Sequence, residues 1–242
     1  MELKEFEKMA NFEQKYWWWV GKRNIVKGIL NKLNLDNPNI LDVGCGTGFN
    51  LTYLQDYGTT MGLDFSNDAL KFCRKLGENR LIQADAEILP FKEETFDVLT
   101  TLDCLEHLDD TKCIKEIHRI MKPNSYLIVT VPAFQFIWSR HDDALHHKRR
   151  YNKKQLKGLL EKNGFKVIKM SYWNFFLFIP IVSIRLIKKN FKTNGKIETD
   201  VNILPNILNR ILTLFLTFES HLISHSNLPI GISLVCIGKP NK

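Results

Sequence analysis

The chain has 242 residues, 44% hydrophobic and 25% charged, with a formal net charge of +8, which is enough sequence to bury one full core and form one α/β domain. Its five cysteines (Cys45, Cys73, Cys104, Cys113, Cys236) include no C-x-x-C pair, and no histidines fall at zinc spacing, which excludes a disulfide frame and a structural metal and points to a reducing, cytoplasmic setting. No uncharged apolar run reaches the roughly 18 to 20 residues that span a bilayer, the first residues lack a signal-peptide layout, and the positive charge favours anionic company such as nucleic acid, phospholipid or a phosphorylated substrate.

The first predicted unit, residues 1–38, is a helical cap in which Tyr16, Trp17, Trp18 and Trp19 follow one another. Successive helical residues lie about 100° apart, so one stripe cannot bury all four rings. Either the segment packs a helix onto the sheet, or some rings form a lid that covers a ligand and keeps water out. A strand over Asn39–Val43 then runs into Gly44, Gly46 and Gly48 and a helix over Gly48–Tyr57. Alternate glycines let the backbone turn sharply and approach a ligand, to which the helix start presents free N–H groups. A dinucleotide loop, G-x-G-x-x-G, needs a third glycine where this chain has Phe49. Asp42 instead suits an ammonium or sulfonium ligand. Strands over Thr59–Asp64 and Arg80–Ala84 each lead to an acid, Asp64 and Asp85, and flank a helix over Ser66–Leu76 with Ser66 as N-cap. Next come a strand over Phe96–Leu102, the tip segment Asp103-Cys104-Leu105-Glu106-His107, a helix over Asp110–Met121 stopped by Lys122-Pro123-Asn124, and a strand over Ser125–Val131. A helix over Asn152–Lys162 and strands over Lys166–Tyr172 and Ile230–Gly238 complete the pattern, whose alternation predicts βαβ units and a parallel sheet.

Ile40–Gly48, Gly62–Ser66 with Asp64, and Leu81–Ala86 with Asp85 resemble the motifs of class I S-adenosylmethionine-dependent methyltransferases of the type 11-like group, and the resemblance covers Asn39–Tyr172. It implies a Rossmann-like α/β fold, a seven-stranded, mostly parallel sheet with an antiparallel last strand, with residues 39–172 plus 229–239 as the core. It also implies S-adenosylmethionine as cofactor and S-adenosylhomocysteine as product. The cofactor-binding residues it marks are Asp42, Gly44, Cys45, Gly46, Gly48, Asp64, Phe65, Asp85, Ala86 and Asp103. Asp64 would accept both ribose hydroxyls and Asp85 would face the adenine amino group. In similar methyltransferases the Asp103–His107 segment lies beside the methionine end of the cofactor. In-line displacement needs a nucleophile held about 3 Å from the methyl carbon. A hydroxyl acceptor also profits from a base, and His107 and His147 are the candidates. The segment carries no D/N-P-P-Y type sequence and the chain has no Pro-Cys pair, which disfavours nucleic-acid bases as acceptors.

The loop Trp138–Tyr151 crowds three histidines, two acids and four basic residues at the carboxyl end of a strand, the ligand side of such a sheet. With the aromatic start it resembles a methyltransferase subgroup that has an E-x-x-H-W-W-F-x-x-R-R-like start and a D-x-x-x-x-H-x-R-R-Y loop, linked to glycans or lipid-linked intermediates. Tyr16 stands where that start has His, and Trp19 where it has Phe. The resemblance marks Tyr16, Trp18, Arg23, Asp142, Arg149, Arg150 and Tyr151 as substrate-binding. Arg149 and Arg150 either clamp a carboxylate or phosphate bidentately or form a solvated basic face. His141, His146, His147 and Asp142 match no metal-binding spacing and methyl transfer needs no metal, so none is expected. Residues 173–228 form an insertion: Phe175–Ile184 is apolar all round and precedes Arg185, Lys188, Lys189, Lys192 and Lys196, and Ile203–Phe218 is a second apolar pattern carrying Arg210. It suits a helical hairpin over the site, docking on an anionic membrane surface, a homodimer interface or extra core. The expectation is methyl transfer to O or N of a small, lipid-linked or glycan-type acceptor by a cytoplasmic, peripherally membrane-bound protein, the alternatives being an RNA methyltransferase and a silent cofactor-binding domain.

Overall fold

The computed structural model describes residues 3–190 and 204–242. Seven strands, β1 (Asn39–Val43), β2 (Thr59–Asp64), β3 (Leu81–Gln83), β4 (Phe96–Leu102), β5 (Met121–Pro132), β6 (Phe165–Trp173) and β7 (Ser233–Pro240), form one sheet in the order β3-β2-β1-β4-β5-β7-β6. Only β7 runs against its neighbours. The chain order reverses between β1 and β4, which opens a crevice at their carboxyl ends.

Alternation along the central strands assigns each face its helices. Ile40, Val98 and Ile128 point to one side, where they meet Ile25, Val26, Ile29 and Leu30 of α2 (Trp17–Leu33) and Leu216 and Ile223 of α9 (Asn206–His225). Leu41, Leu99, Leu127 and Val129 point to the other, against Ile114 and Ile117 of α5 (Asp110–Ile120) and Leu156 and Leu160 of α7 (Lys153–Lys162). Each such side chain, fully buried, adds about 1.5–3 kcal/mol. The division into cap, core and insertion therefore does not coincide with the packing. Both α2, from the first 38 residues, and α9, from the segment 173–228, complete the sheet's own core.

The remaining helices are α1 (Leu3–Phe12), α3 (Phe49–Leu54), α4 (Asn67–Lys75), α6 (Arg140–Ala144) and α8 (Phe178–Asn190). Ser66 caps α4 through the Ala69 amide, Asp109 caps α5, and Asn152 with Gln155 forms a capping box at the start of α7. The expected stop at Lys122–Asn124 is not a break. Met121 already pairs with Phe96, and the register then jumps to Val98 and Tyr126, so the turn residues form an irregularity inside β5 with Asn124 at φ +63°. The strand expected over Arg80–Ala84 shortens to three residues, and the helix after Gly48 ends at Leu54. Lys192, Lys196 and Ile203 lie outside the described residues.

Candidate functional site

A cavity of about 690 Å³ opens at the carboxyl ends of β1, β2 and β4. Its floor is the loop after β1, where Gly44, Gly46 and Gly48 all have left-handed φ (+76°, +57° and +88°). A Cβ on Gly44 would lie 2.4 Å from the Cys104 sulfur, and one on Gly48 2.7 Å from the Cys73 sulfur, so neighbours as well as dihedrals require glycine there. At Gly46 nothing lies nearer than the Met9 methyl, 3.9 Å away.

The glycine amides of the loop are already engaged within the protein. The amides of Gly44 and Cys45 donate to the Leu63 carbonyl, that of Gly48 to the Cys45 carbonyl, and that of Gly46 to the Asp64 carboxylate. No nest of free N–H groups is left on these glycines for a diphosphate. Asp64, Asp85 and Asp103 line the same cavity, a field that favours a cationic ligand. Asp64 also accepts from the Ser66 amide, and burial raises its pKa above the usual carboxylate range. Phe65 beside it is 73% exposed, Ala86 and Asp85 form the adjoining wall, and Cys45 completes the floor. The donor set and the glycine cradle thus fit the sulfonium nucleoside that the sequence implied.

Asp42 and Gly48 do not line the cavity. Asp42 is fully buried behind the lining, accepts a 2.6 Å bond from Thr100 at Oδ1 while Oδ2 has no hydrogen-bond partner, and is pushed up to about 6 by burial. Phe49, in the place of a third glycine, carries the Arg23 guanidinium 4.4 Å above its ring. Arg23 also donates to the carbonyls of Glu13 and Gln14. It therefore ties the α1–α2 junction to α3 and does not reach the cavity.

Tyr16, Trp17, Trp18 and Trp19 all line the cavity, because Tyr16 precedes α2 and the three tryptophans fan around its first turn. Trp18 packs on Trp173 with ring centroids 4.6 Å apart, and Asn209 of α9 holds this turn by accepting from the Trp17 amide and donating to the Lys15 carbonyl. Phe6 and Met9 of α1 close the cofactor side, while Glu13, buried and raised above the usual carboxylate range by that burial, accepts from Thr47. Lys22 is buried and reaches Asp103 at 3.0 Å, with the second Asp103 oxygen accepting from Thr130. Sequence reasoning missed Lys22, although it lies four residues after Trp18 and hence on the same helical face.

The basic loop behaves differently from a substrate clamp. Asp142 and Arg150 are both buried and joined by two bonds of 2.7 and 3.0 Å, and Arg150 also donates to the Ala133 carbonyl. Arg149 pairs with Asp110 at 2.6 Å, and the Tyr151 hydroxyl donates to the same carboxylate. Asp142, Arg149 and Tyr151 are absent from the cavity lining. These residues fold the loop between the Ala133–Tyr151 bridge, and of the expected clamp only Arg150 reaches the wall. What the loop delivers is His147, whose Nδ1 lies 2.9 Å from Asp142, together with His141. The His147 ring meets that of His107 edge-on at 4.8 Å. Burial, aided by His147, lowers the His107 pKa to about 4, so its ring is neutral at pH 7. His141, His146, His147 and Asp142, which the sequence did not mark as a metal site, do not converge as one group, and Asp142 is engaged by Arg150. Glu106, His107 and His147 come together instead.

Comparison with known proteins agrees with this geometry. A family model described as a methyltransferase domain matches residues 41–129. An uncharacterized protein of Methanocaldococcus jannaschii is 31% identical over 54% of this chain and 52% of its own length. A tRNA (carboxymethyluridine(34)-5-O)-methyltransferase of Arabidopsis thaliana is 37% identical over 39% and 24%, and a fatty-acid O-methyltransferase of Mycolicibacterium smegmatis is 30% identical over 40% and 38%. The chain thus spans about half or less of the length of these relatives. A chain in the complex of the Haloferax volcanii Trm112 methyltransferase activator with a methyltransferase shares the fold, with a TM-score of 0.64 over 98% of both chains at 17% identity. The domain match over residues 41–129, with the sheet order and the glycine loop, supports a class I S-adenosylmethionine-dependent methyltransferase domain, and S-adenosylmethionine is its cofactor.

Proposed function

We propose that this chain transfers the methyl group of S-adenosylmethionine to an oxygen, or a nitrogen, of an amphiphilic acceptor of the lipid-linked or glycan-linked class. The observation that carries the reading is the double role of α8. Ile181, Ile184 and Arg185 line the cavity, while Ile179, Leu186 and Ile187 on the same helix are exposed, and Ile207, Leu214 and Phe218 of α9 extend the exposed apolar surface. An apolar tail can lie along this surface while its polar head enters the cavity. The similarity to a fatty-acid O-methyltransferase supports the same acceptor chemistry.

The sulfonium supplies an already activated methyl group, so the protein's contribution is position, dryness and proton handling. In this reading α1 and the aromatic turn of α2 form the lid. Trp18 and Tyr16 orient the acceptor, and His107, neutral at pH 7, or His147 accepts the proton from an acceptor hydroxyl. Asp64 and Asp85 hold the nucleoside, and Asp103, set by Lys22, faces the methionine end.

No described helix is long and apolar enough to cross a membrane. Peripheral docking through α8 and α9 on an anionic surface, with the net charge of +8, is the corresponding proposal for location. Co-sedimentation with anionic vesicles at low salt tests it: the protein should pellet with vesicles containing phosphatidylglycerol and stay in solution with neutral ones, and remaining soluble with both rejects docking. A second copy covering the same face would instead appear as a dimer by light scattering. RNA methylation is the second reading, favoured by the charge and by the tRNA methyltransferase relative. It predicts co-purifying nucleic acid and affinity that falls steeply with salt. Labelled methyl donor supplied with cell extract, fractionated into lipid, glycan, RNA and protein, decides the acceptor, and label confined to RNA would overturn the first reading.

A further inference from the structure

The first turn after β4 places a carboxylate where the proposed reaction has no stated use for it. Glu106 is completely buried, and neither of its carboxylate oxygens has a hydrogen-bond partner. A buried, unpaired carboxylate is costly and calls for a cation or a proton. Nε2 of His147 stands 4.0 Å from its Oε1, too far for a hydrogen bond. Asp142 holds the opposite ring nitrogen of His147 at 2.9 Å, a contact that suits a proton on Nδ1 and leaves Nε2 facing Glu106. His107, the residue after Glu106, brings a second imidazole against the first. One ligand atom from each of Glu106, His107 and His147 lies within 4.8 Å of the other two.

We propose that Glu106, His107 and His147 form a binding site for a divalent first-row transition metal ion at the acceptor end of the cavity. Two imidazole nitrogens and one carboxylate suit Zn2+, Co2+, Fe2+ or Mn2+ better than Mg2+ or Ca2+, which prefer all-oxygen sites. With ligand bonds of about 2.1 Å, neighbouring donors on a tetrahedral ion sit roughly 3.4 Å apart, so the three side chains need to close by up to about 1.4 Å. The carboxylate behind His147 is the outer-shell partner that metal-bound histidines usually have, and Arg150 fixes that carboxylate in turn. All three ligands line the cavity that also contains Asp103, which leaves the remaining coordination positions facing the acceptor. The role of the ion rests on the methyltransferase reading: it would hold an acceptor bearing a hydroxyl or carboxylate by its oxygen, and with the ion bound His107 and His147 act as ligands rather than as bases. Binding of the ion does not depend on that reading.

The test uses chelator-stripped protein titrated with Zn2+ and, separately, Mn2+ by calorimetry without cofactor. One ion per chain is expected, with Mg2+ at least tenfold weaker. Glu106→Gln, which keeps the shape and removes the charge, and His147→Ala should each weaken Zn2+ binding at least tenfold, while His225→Ala, on the exposed end of α9, should leave it unchanged. Mn2+ added to the wild-type chain should broaden the imidazole NMR signals of His107 and His147 ahead of those of the other histidines, a reading that needs no variant to fold. Absence of saturable one-to-one binding, equal binding by Glu106→Gln, or broadening that starts at His221 and His225 overturns the site. S-adenosylhomocysteine binding is measured on the same metal-free protein, so that loss of the metal site and loss of the methyltransferase reading are separate results.

Discussion

Two aspartates show how one residue type does different work in this chain. Asp64 sits on the cavity wall with its oxygens on the Gly46 and Ser66 amides, so removing it opens the loop and, in the proposed reading, removes the ribose acceptor with it. Asp64→Ala should weaken S-adenosylhomocysteine binding by at least tenfold in calorimetry; unchanged affinity would place the nucleoside elsewhere. Asp142 is behind the wall. Burial alone would raise its pKa, yet the His147 hydrogen bond and the Arg150 charge outweigh it and hold the carboxyl well below the usual range. Its contribution to stability is therefore present above the unfolded carboxylate pKa and is lost as pH falls through the acid range. Breaking a buried pair costs about 3–5 kcal/mol because the partner charge stays behind unpaired. Asp142→Asn should cost about 3 kcal/mol in urea denaturation at pH 7, whereas a value below about 1 kcal/mol would mean that Arg150 is solvated. Arg149 and Arg150 read alike in the sequence; only their surroundings make one a half-exposed tie to Asp110 and the other a buried strut.

The helices that position the aromatic turn depend on one close crossing and one buried acid. At Gly21 of α2 an added Cβ would lie 2.3 Å from Cδ1 and 2.7 Å from Cβ of Leu216 in α9. Gly21→Ala gains up to about 1 kcal/mol of helix propensity. Overpacking costs about 1–3 kcal/mol, so the clash should prevail, with a net loss of about 1–2 kcal/mol. The double variant with Leu216→Ala should relieve the clash, giving a coupling energy above about 0.5 kcal/mol in a thermodynamic cycle, and strict additivity would contradict the crossing. Glu219 of α9 accepts from the amides of Asn174 and Phe175 where the chain leaves β6, and burial pushes its pKa up to about 7. A carboxyl whose folded pKa exceeds its unfolded value makes the folded state bind more protons, so stability falls as pH rises between about 4.5 and 7. The shift corresponds to about 3 kcal/mol at most. Glu219→Gln should flatten that part of the pH profile of stability relative to wild type, and parallel profiles would show that Glu219 titrates normally.

Across the whole molecule, the helices over one sheet face are also those that shape the acceptor side. The segments 1–38 and 173–228 each give one helix to the core and one to the cavity mouth: α2 and α9 pack the sheet, while α1 and α8 line the opening. The cavity is therefore coupled to global stability through α2 and α9. Saturation with S-adenosylhomocysteine at one hundred times its Kd should stabilise the chain by about 2.7 kcal/mol, read as a higher melting temperature.

The strand–helix alternation, the glycine loop and the acids at the strand tips were legible because each is a local requirement. A left-handed turn needs glycine at Gly44 and Gly46, a buried parallel strand needs a continuous apolar run, and Asp64 and Asp85 follow their strands directly. Sequence alone therefore determined the fold and the cofactor, and it named several residues that the structure places on the cavity wall. What it left open was every choice that depends on which distant segments meet. Trp18 against Trp173, Lys22 on Asp103 and Glu106 facing His147 join residues that are far apart in the chain, with 41 to 155 positions between partners. Arg23 and Tyr151 have the side chains of binding residues, yet their partners tie them into the α1–α2 junction and the basic loop. Periodicity and spacing report which face a residue occupies. Only packing decides whether that face meets a ligand or another part of the protein, because the charge and hydrogen bonds of a side chain are satisfied by whatever lies within about 3 Å of it.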